Sequence, residues 1–421
     1  MAASEPLEAD VRAAAEAAAR DAYGRLIALL AARTCDIAAA EDAMSAAFVS
    51  ALVVWPTRGI PDKPEAWLLT AARRNLIDIG RRQTSARKAV PDLIRLVDDT
   101  FEPAGTHSAF PDERLKLMFI CAHPALDSGL HTPLMLQTVL GFDAKRIARV
   151  YLLSASAMGQ RLVRAKAKLR ELQPKFIEPD QTEWPKRLNA VHQAVYAAYT
   201  CGWDMPGQKS APESGFAREA MALARMLTGL VPDNGETLGL LALILYCEAR
   251  RPARLDEGEN YMPLSLQDTG LWNATLIDRA EMVLHHALER GPAGRFVLEA
   301  AIQSAHCARR QTGQTDHAAL LALYDRLICV HPGLGARIAR AGVLGEVGEI
   351  AAGLEALDEL EGERDMRGGR LDQYQPYWAA RAHLLALAGQ TTDATQAYQR
   401  AAKLTPDASV RRFLRDRSAT L

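Results

Sequence analysis

Apolar residues spaced three and four apart recur along almost the whole chain, whereas the strict alternation of a half-buried strand is scarce. Such spacing gathers apolar side chains on one face of an α-helix. The expected fold class is therefore all-α. Alanine, leucine and arginine, all good helix formers, dominate the composition, and aromatics make up only 6%. At 421 residues the chain is too long for one ordinary core, so more than one domain is expected.

The stretch LGFDAKRIARVYLLSASAMGQRLVRAKAKLR, Leu140 to Arg170, reads as two helices joined by a tight connection. Nine Lys/Arg between Gly141 and Lys175 stand against two acids, Asp143 and Glu171, in a chain whose net charge is −1. A basic helix pair in a near-neutral protein is an electrostatic footprint for a polyanion. Asp143 can cap the first helix, AKRIARVYL. Ser154 or Ser156 can cap the second, whose buried side is expected to be Met158, Leu162, Val163 and Leu169. This is the spacing of a helix-turn-helix, whose second helix enters the major groove. Ser154, Ser156 and Gln160 then stand where base edges are read, and Arg161, Arg164, Lys166 and Lys168 suit phosphates. An ordinary αα-hairpin with a salt-bridged outer face is the alternative, and acids to pair with the arginines are nearly absent.

Residues 11–32 predict an alanine-rich helix. Asp36 can cap a second, with Ala40, Ala43, Ala47, Phe48, Ala51 and Leu52 as its apolar stripe and Glu41 and Asp42 in its first turn. Trp55-Pro56 is expected to break it. Pro64 opens PEAWLLTAARRNLIDIGRR, with Trp67 and Leu68 on an apolar face and Arg73, Arg74, Arg81 and Arg82 gathered elsewhere. From Val90 to Phe110 periodicity collapses into an acidic linker. Pro111-Asp112-Glu113 starts the next helix. Cys121 and His123 have no second pair at ligand spacing, so no metal site is expected.

Together, AEDAMSAAFVSAL, IPDKPEAWLLTAARRNLIDIGRR, ERLKLMFICAHPAL and RIARVYLLSASAMGQRLVRAKAKLR resemble a bacterial RNA polymerase sigma factor of the extracytoplasmic-function type, in the subgroup with a large C-terminal helical extension. The resemblance implies a region 2 bundle over 1–88, a linker over 89–111, a region 4 helix-turn-helix over 112–176 and a helical domain over 177–421. It makes core RNA polymerase and promoter DNA the partners. Glu41, Asp42 and Phe48 become polymerase contacts, and Trp67, Arg73, Arg74, Asn75, Arg81 and Arg82 become −10 contacts. The −35 element falls to Ser154, Ser156, Gln160, Arg161, Arg164, Lys166 and Lys168. Melted DNA needs cations along its backbone and platforms for its bases, which suits the second set. Three positions depart from the family pattern. Ser45-Ala46 replaces a Gln-Glu pair, Arg146 replaces a glutamate, and Ser154-Ala155 replaces Pro-Glu. The first bears on polymerase affinity, the other two on promoter preference.

After Pro174 apolar helical stretches continue. YWAARAHLLALAGQTTDATQAYQRAAKLTP places Trp378, Ala382, Leu385, Gly389, Ala394, Tyr398, Ala401 and Pro406 at tetratricopeptide spacing, and helix pairs are expected over 315–412. Such units bind peptides or proteins. No nucleophile–base pair, Gly-rich phosphate loop or metal set stands out, so neither an enzyme nor a cofactor is expected. The six cysteines lack paired spacing, MAASEPLEADVR does not read as a signal peptide, and the longest apolar run, Leu238 to Cys247, is well short of the roughly 20 residues of a membrane span. A cytoplasmic protein without membrane contact is expected. A helix-turn-helix regulator that never engages polymerase is the alternative function.

Overall fold

The helical periodicity is realised throughout the computed structural model, which describes residues 5–34, 36–86, 110–151, 153–172, 179–203, 212–362 and 371–421. The expected linker, apart from Phe110 and Pro111, lies outside the described residues. Among these the fold is all-α, with no strand and one isolated antiparallel bridge, Leu255 to Tyr261. The chain divides into two compact units, 1–198 and 199–421.

The first unit opens with three packed helices: α1 (Glu5–Thr34), α2 (Ile37–Arg58) and α3 (Pro64–Ala86). Asp36 caps α2 by accepting the Ala39 N–H at 3.1 Å, satisfying a donor that the first turn leaves unpaired. Ile37, Ala40, Ala43, Met44, Ala47, Ala51 and Trp55 make its buried stripe, mostly alanines that let the neighbouring helices approach closely. Pro56 does not end α2, which continues to Arg58 and stops at Gly59, whose φ is +83°. By length and composition α2 is apolar enough to cross a membrane. Its apolar run is not continuous, because Glu41, Asp42, Ser45 and Ser50 interrupt the sequence. One of its sides packs on α1 and α3, as a core helix does.

Four more helices follow: α4 (Glu113–Cys121), α5 (Ser128–Thr138), α6 (Ala144–Val150) and α7 (Ala155–Glu171). Their caps follow the sequence. Asp112 accepts the Arg114 N–H at 2.7 Å, Asp143 the Arg146 N–H at 2.7 Å and Ser154 the Ala157 N–H at 3.2 Å. These helices pack on the first three, with α4 and α5 on α1 and α7 against α2. The approach is closest at Gly24, where a Cβ would lie 1.7 Å from the Val139 carbonyl oxygen.

The division between the units falls inside α8 (Trp184–Trp203), later than the 176/177 boundary expected from sequence. Its first turns complete the first unit's core. Trp184 joins Phe110 and Phe119, with ring centroids 5.0 and 5.6 Å away, and Arg187 donates to the Phe119 carbonyl at 2.9 Å. The buried His192 is held neutral, its pKa lowered to about 4 by loss of water.

The second unit stacks α9 (Pro212–Leu230), α10 (Gly235–Arg250), α11 (Ala274–Glu289), α12 (Arg295–Cys307), α13 (His317–Val330), α14 (Leu334–Glu346), α15 (Ile350–Gly362), α16 (Gln375–Leu387), α17 (Thr391–Leu404) and α18 (Ala408–Ala419). Neighbours pack as hairpins, and Ala382, Leu385, Ala394, Tyr398 and Ala401 share one core cluster with Trp378 against it. Gly353 lets α15 approach α14, since a Cβ there would lie 2.8 Å from the Ala341 carbonyl oxygen. The long segment between α10 and α11 is pinned by Arg309, which donates to the carbonyls of Leu264, Ser265 and Gln267 at 2.9, 3.0 and 3.1 Å. The near end of that segment meets the last helix. Tyr261 lies edge-on to Phe413 at 5.6 Å, and Arg412 donates to Asn260 at 3.0 Å.

Candidate nucleic-acid and partner-binding surfaces

The α6–turn–α7 arrangement presents one face of α7 to solvent. Met158, Leu162, Ala165 and Leu169 are buried, a stripe at i, i+4, i+7 and i+11. Ser154, Ser156, Gln160, Arg161, Arg164, Lys168 and Arg170 are exposed. Ser154 spends its hydroxyl on the cap, which leaves Ser156 and Gln160 as the free neutral polar groups at the start of this face. Arg161 and Arg164 have no carboxylate at ion-pair distance among the described residues, and Arg164 bonds only the Gln160 carbonyl of its own helix, at 3.3 Å. Lys168 lies 3.6 Å from Glu171 in an exposed pair.

Two placements on α7 differ from the sequence expectation. The spacing places Val163 on the buried side, yet it is 67% exposed, because it follows Leu162 by one residue and so turns about 100° out of the stripe. The charge pattern gives Lys166 to phosphates, yet its ammonium turns inward and meets Glu41 Oε2 of α2 at 2.5 Å. Arg170 reaches the Asp36 carboxylate at 3.7 Å beside it.

On α2, Glu41 is half-buried against Lys166, and its other oxygen, Oε1, is buried with no hydrogen-bond partner among the described residues. Burial raises its pKa above the usual carboxylate value, and the Lys166 ammonium opposes that rise. Asp42 is exposed and Phe48 half-buried. The outer side of α2 runs through Asp42, Ser45, Ala46, Val49, Leu52 and Val53, with Val49 and Val53 63% and 68% exposed. Leu52, expected in the buried stripe, belongs to this outer side. So Asp42 borders an open apolar strip, and Glu41 does not.

On α3, the half-buried Trp67 packs edge-on against Trp55 at 5.5 Å, so it helps fasten α3 to α2. Asn75 likewise donates to the Ala43 carbonyl at 3.2 Å. Arg73 is half-buried and Arg74 exposed. The side chains of Arg81 and Arg82 lie outside the described residues.

Sequence reasoning missed the outward valines of α2 and α7, and it missed the loop platform of the second unit. There Trp203 carries Arg254 and Arg251 over its ring, at 4.0 and 5.2 Å, and Trp272 donates to Gln267 at 3.2 Å. Among the described residues no cluster of three His, Cys, Asp or Glu stands where it could hold a metal. Cys121 is buried beside Thr138 Oγ1 at 3.6 Å, and His123 Nδ1 accepts the Ala125 N–H.

Residues 187–288, which include that platform, match a family of unknown function, DUF6596. An uncharacterised protein of Rhizobium meliloti (strain 1021) is 32% identical over 382 residues, covering 89% of this chain and 88% of its own length. The chain belongs to the family of that protein. The shared length takes in most of both units, so the two are joined in the family and not only here.

Proposed function

We propose that this protein is a sigma factor of the extracytoplasmic-function type, directing core RNA polymerase to particular promoters. In this reading α2 meets polymerase through Asp42 and the Val49–Val53 strip, α3 serves the −10 element with Arg73, Arg74, Arg81 and Arg82, and α7 reads the −35 element. The observation that carries it is the open face of α7. A capped helix follows a short helix and turn, with exposed Arg161 and Arg164 that no carboxylate among the described residues neutralises. The second unit, a stack of helix pairs with tetratricopeptide-like spacing, adjusts activity through a protein or peptide partner. For Glu41 and Lys166 to take the polymerase and phosphate roles that the family resemblance implies, their mutual ion pair must first open.

A second reading, a helix-turn-helix regulator independent of polymerase, draws support from the same pair, which occupies Glu41, and from Ser45-Ala46 on the outer side of α2. The two part in one experiment. The full chain, mixed with core polymerase and a library of promoter fragments, is expected to yield discrete run-off transcripts. Sequence-specific DNA binding with no association to core polymerase at low salt would overturn the sigma reading in favour of the second.

A further inference from the structure

Val163 is the anomaly on the open face of α7. It stands two-thirds exposed in the middle of a polar, cationic surface. Ser156, Gln160 and Val163 follow one another at i, i+4 and i+7, on one side of the helix, with Arg161 and Arg164 flanking. One turn before Val163 lies Gly159, a residue that weakens a helix interior, and no packing demands it, for a Cβ there would meet nothing within 4 Å. An outward valine and an unforced glycine on the same face suit a broad surface that comes close and offers an apolar point. The major groove of DNA offers one such point among its polar base edges, the 5-methyl group of thymine. Valine suits it, because its β-branch fixes where its two methyl groups stand. The neighbouring Gln160 has the amide that pairs with adenine in the same groove.

We infer that Val163 is a specificity-determining residue that packs on a thymine 5-methyl group in the DNA site read by α7. The inference rests on the reading of α7 as a recognition helix. The flanking arginines favour a polyanion over an apolar protein partner on this face.

The test begins by selecting bound duplexes from a random library with the full chain, with and without core polymerase. Each thymine of the selected site is then replaced by deoxyuridine, which lacks only the methyl group. Binding is measured for the wild type, Val163→Ala and the shape-conserving Val163→Thr. One thymine is expected at which deoxyuridine weakens wild-type binding about four-fold, the factor that burying one methyl group is worth. At that position alone, Val163→Ala should be weakened already and lose most of its response to the methyl group, as a double-mutant cycle requires of two groups in contact. Val163→Thr, which keeps one γ-methyl, should fall between Val163→Ala and the wild type. Because Val163 is exposed, the variants should keep the wild-type circular dichroism and melting curve. If a sequence is selected but every thymine responds alike in wild type and variants, the assignment of Val163 falls while the recognition helix stands. If no sequence is selected, the reading of α7 fails and takes the assignment with it.

Discussion

Arginine is used in opposite ways in the second unit and on the open face of α7. In the second unit Arg251 forks onto Glu248, Arg295 meets Glu299 at 2.7 Å, Arg340 meets Asp325 and Arg381 meets Asp358 at 2.5 Å, and Arg309 gathers three carbonyls over the face of Trp272. On α7 of the first unit, Arg161 and Arg164 are exposed, with no carboxylate at ion-pair distance among the described residues. A guanidinium that ties helices together has its donors occupied. One that is kept for a phosphate must be left open, and the fold gains little from it. The contrast teaches that charge density in the sequence does not separate these two jobs; the supply of acids and carbonyls around each arginine does.

The sharpest way to break the comparison is Arg309→Ala. It would strand three carbonyls and uncover Trp272, and it should cost about 3 kcal/mol, read as a fall in the unfolding midpoint of the full chain. A loss near zero would mean that the loop holds itself and that Arg309 is as idle as Arg161 and Arg164. Lys166→Ala should cost about 2 kcal/mol at neutral pH, since it leaves the Glu41 carboxylate half-buried and alone. The sign of the pH dependence follows from the raised Glu41 pKa. The folded state holds the proton more tightly than the unfolded one, so this group's contribution is complete below its ordinary value of 4.5 and is lost as pH rises through the raised value. Denaturant unfolding should therefore show the Lys166→Ala penalty shrinking as pH falls toward 4.5, and a penalty flat with pH would remove Glu41 from the account. The smallest effect on stability is expected for Arg161→Ala with Arg164→Ala, within about 0.5 kcal/mol of wild type. Yet the slope of log binding constant against log salt for promoter DNA should fall by about two. An unchanged slope would reduce these arginines to a solvated surface.

Much of the first unit is legible in its sequence. Asp36, Asp112, Asp143 and Ser154 cap the helices they precede, because a short polar side chain beside an apolar-periodic run has few other roles. The all-α class and the hairpin of α16 and α17 followed from the same periodicity. What stayed hidden depends on rotation and on distance along the chain. Val163 and Leu52 are apolar neighbours of buried residues, and a turn of 100° decides that they face water. Glu41 and Lys166 are 125 residues apart, and local spacing carries no trace of their meeting. Trp67 and Asn75 took on DNA roles through resemblance, whereas their contacts to Trp55 and Ala43 show what they do for the bundle. In sequence the character of the chain changes after Pro174, but Trp184 and Arg187 extend the unit because they close against Phe110 and Phe119.

The contact between Asn260 and Arg412, reinforced by Tyr261 and Phe413, joins residues 152 positions apart in the second unit. A row of hairpins that touch only their neighbours can unzip from a free end, one pair at a time. Fastening α18 to the segment before α11 means that α18 cannot peel away without breaking this contact as well. The row then melts more nearly as one body. The same knot carries force in the other direction. A partner that pulls α18 aside must also tug on the loop held by Arg309, so an event at the C-terminal helix is felt across the row without passing through each hairpin in turn.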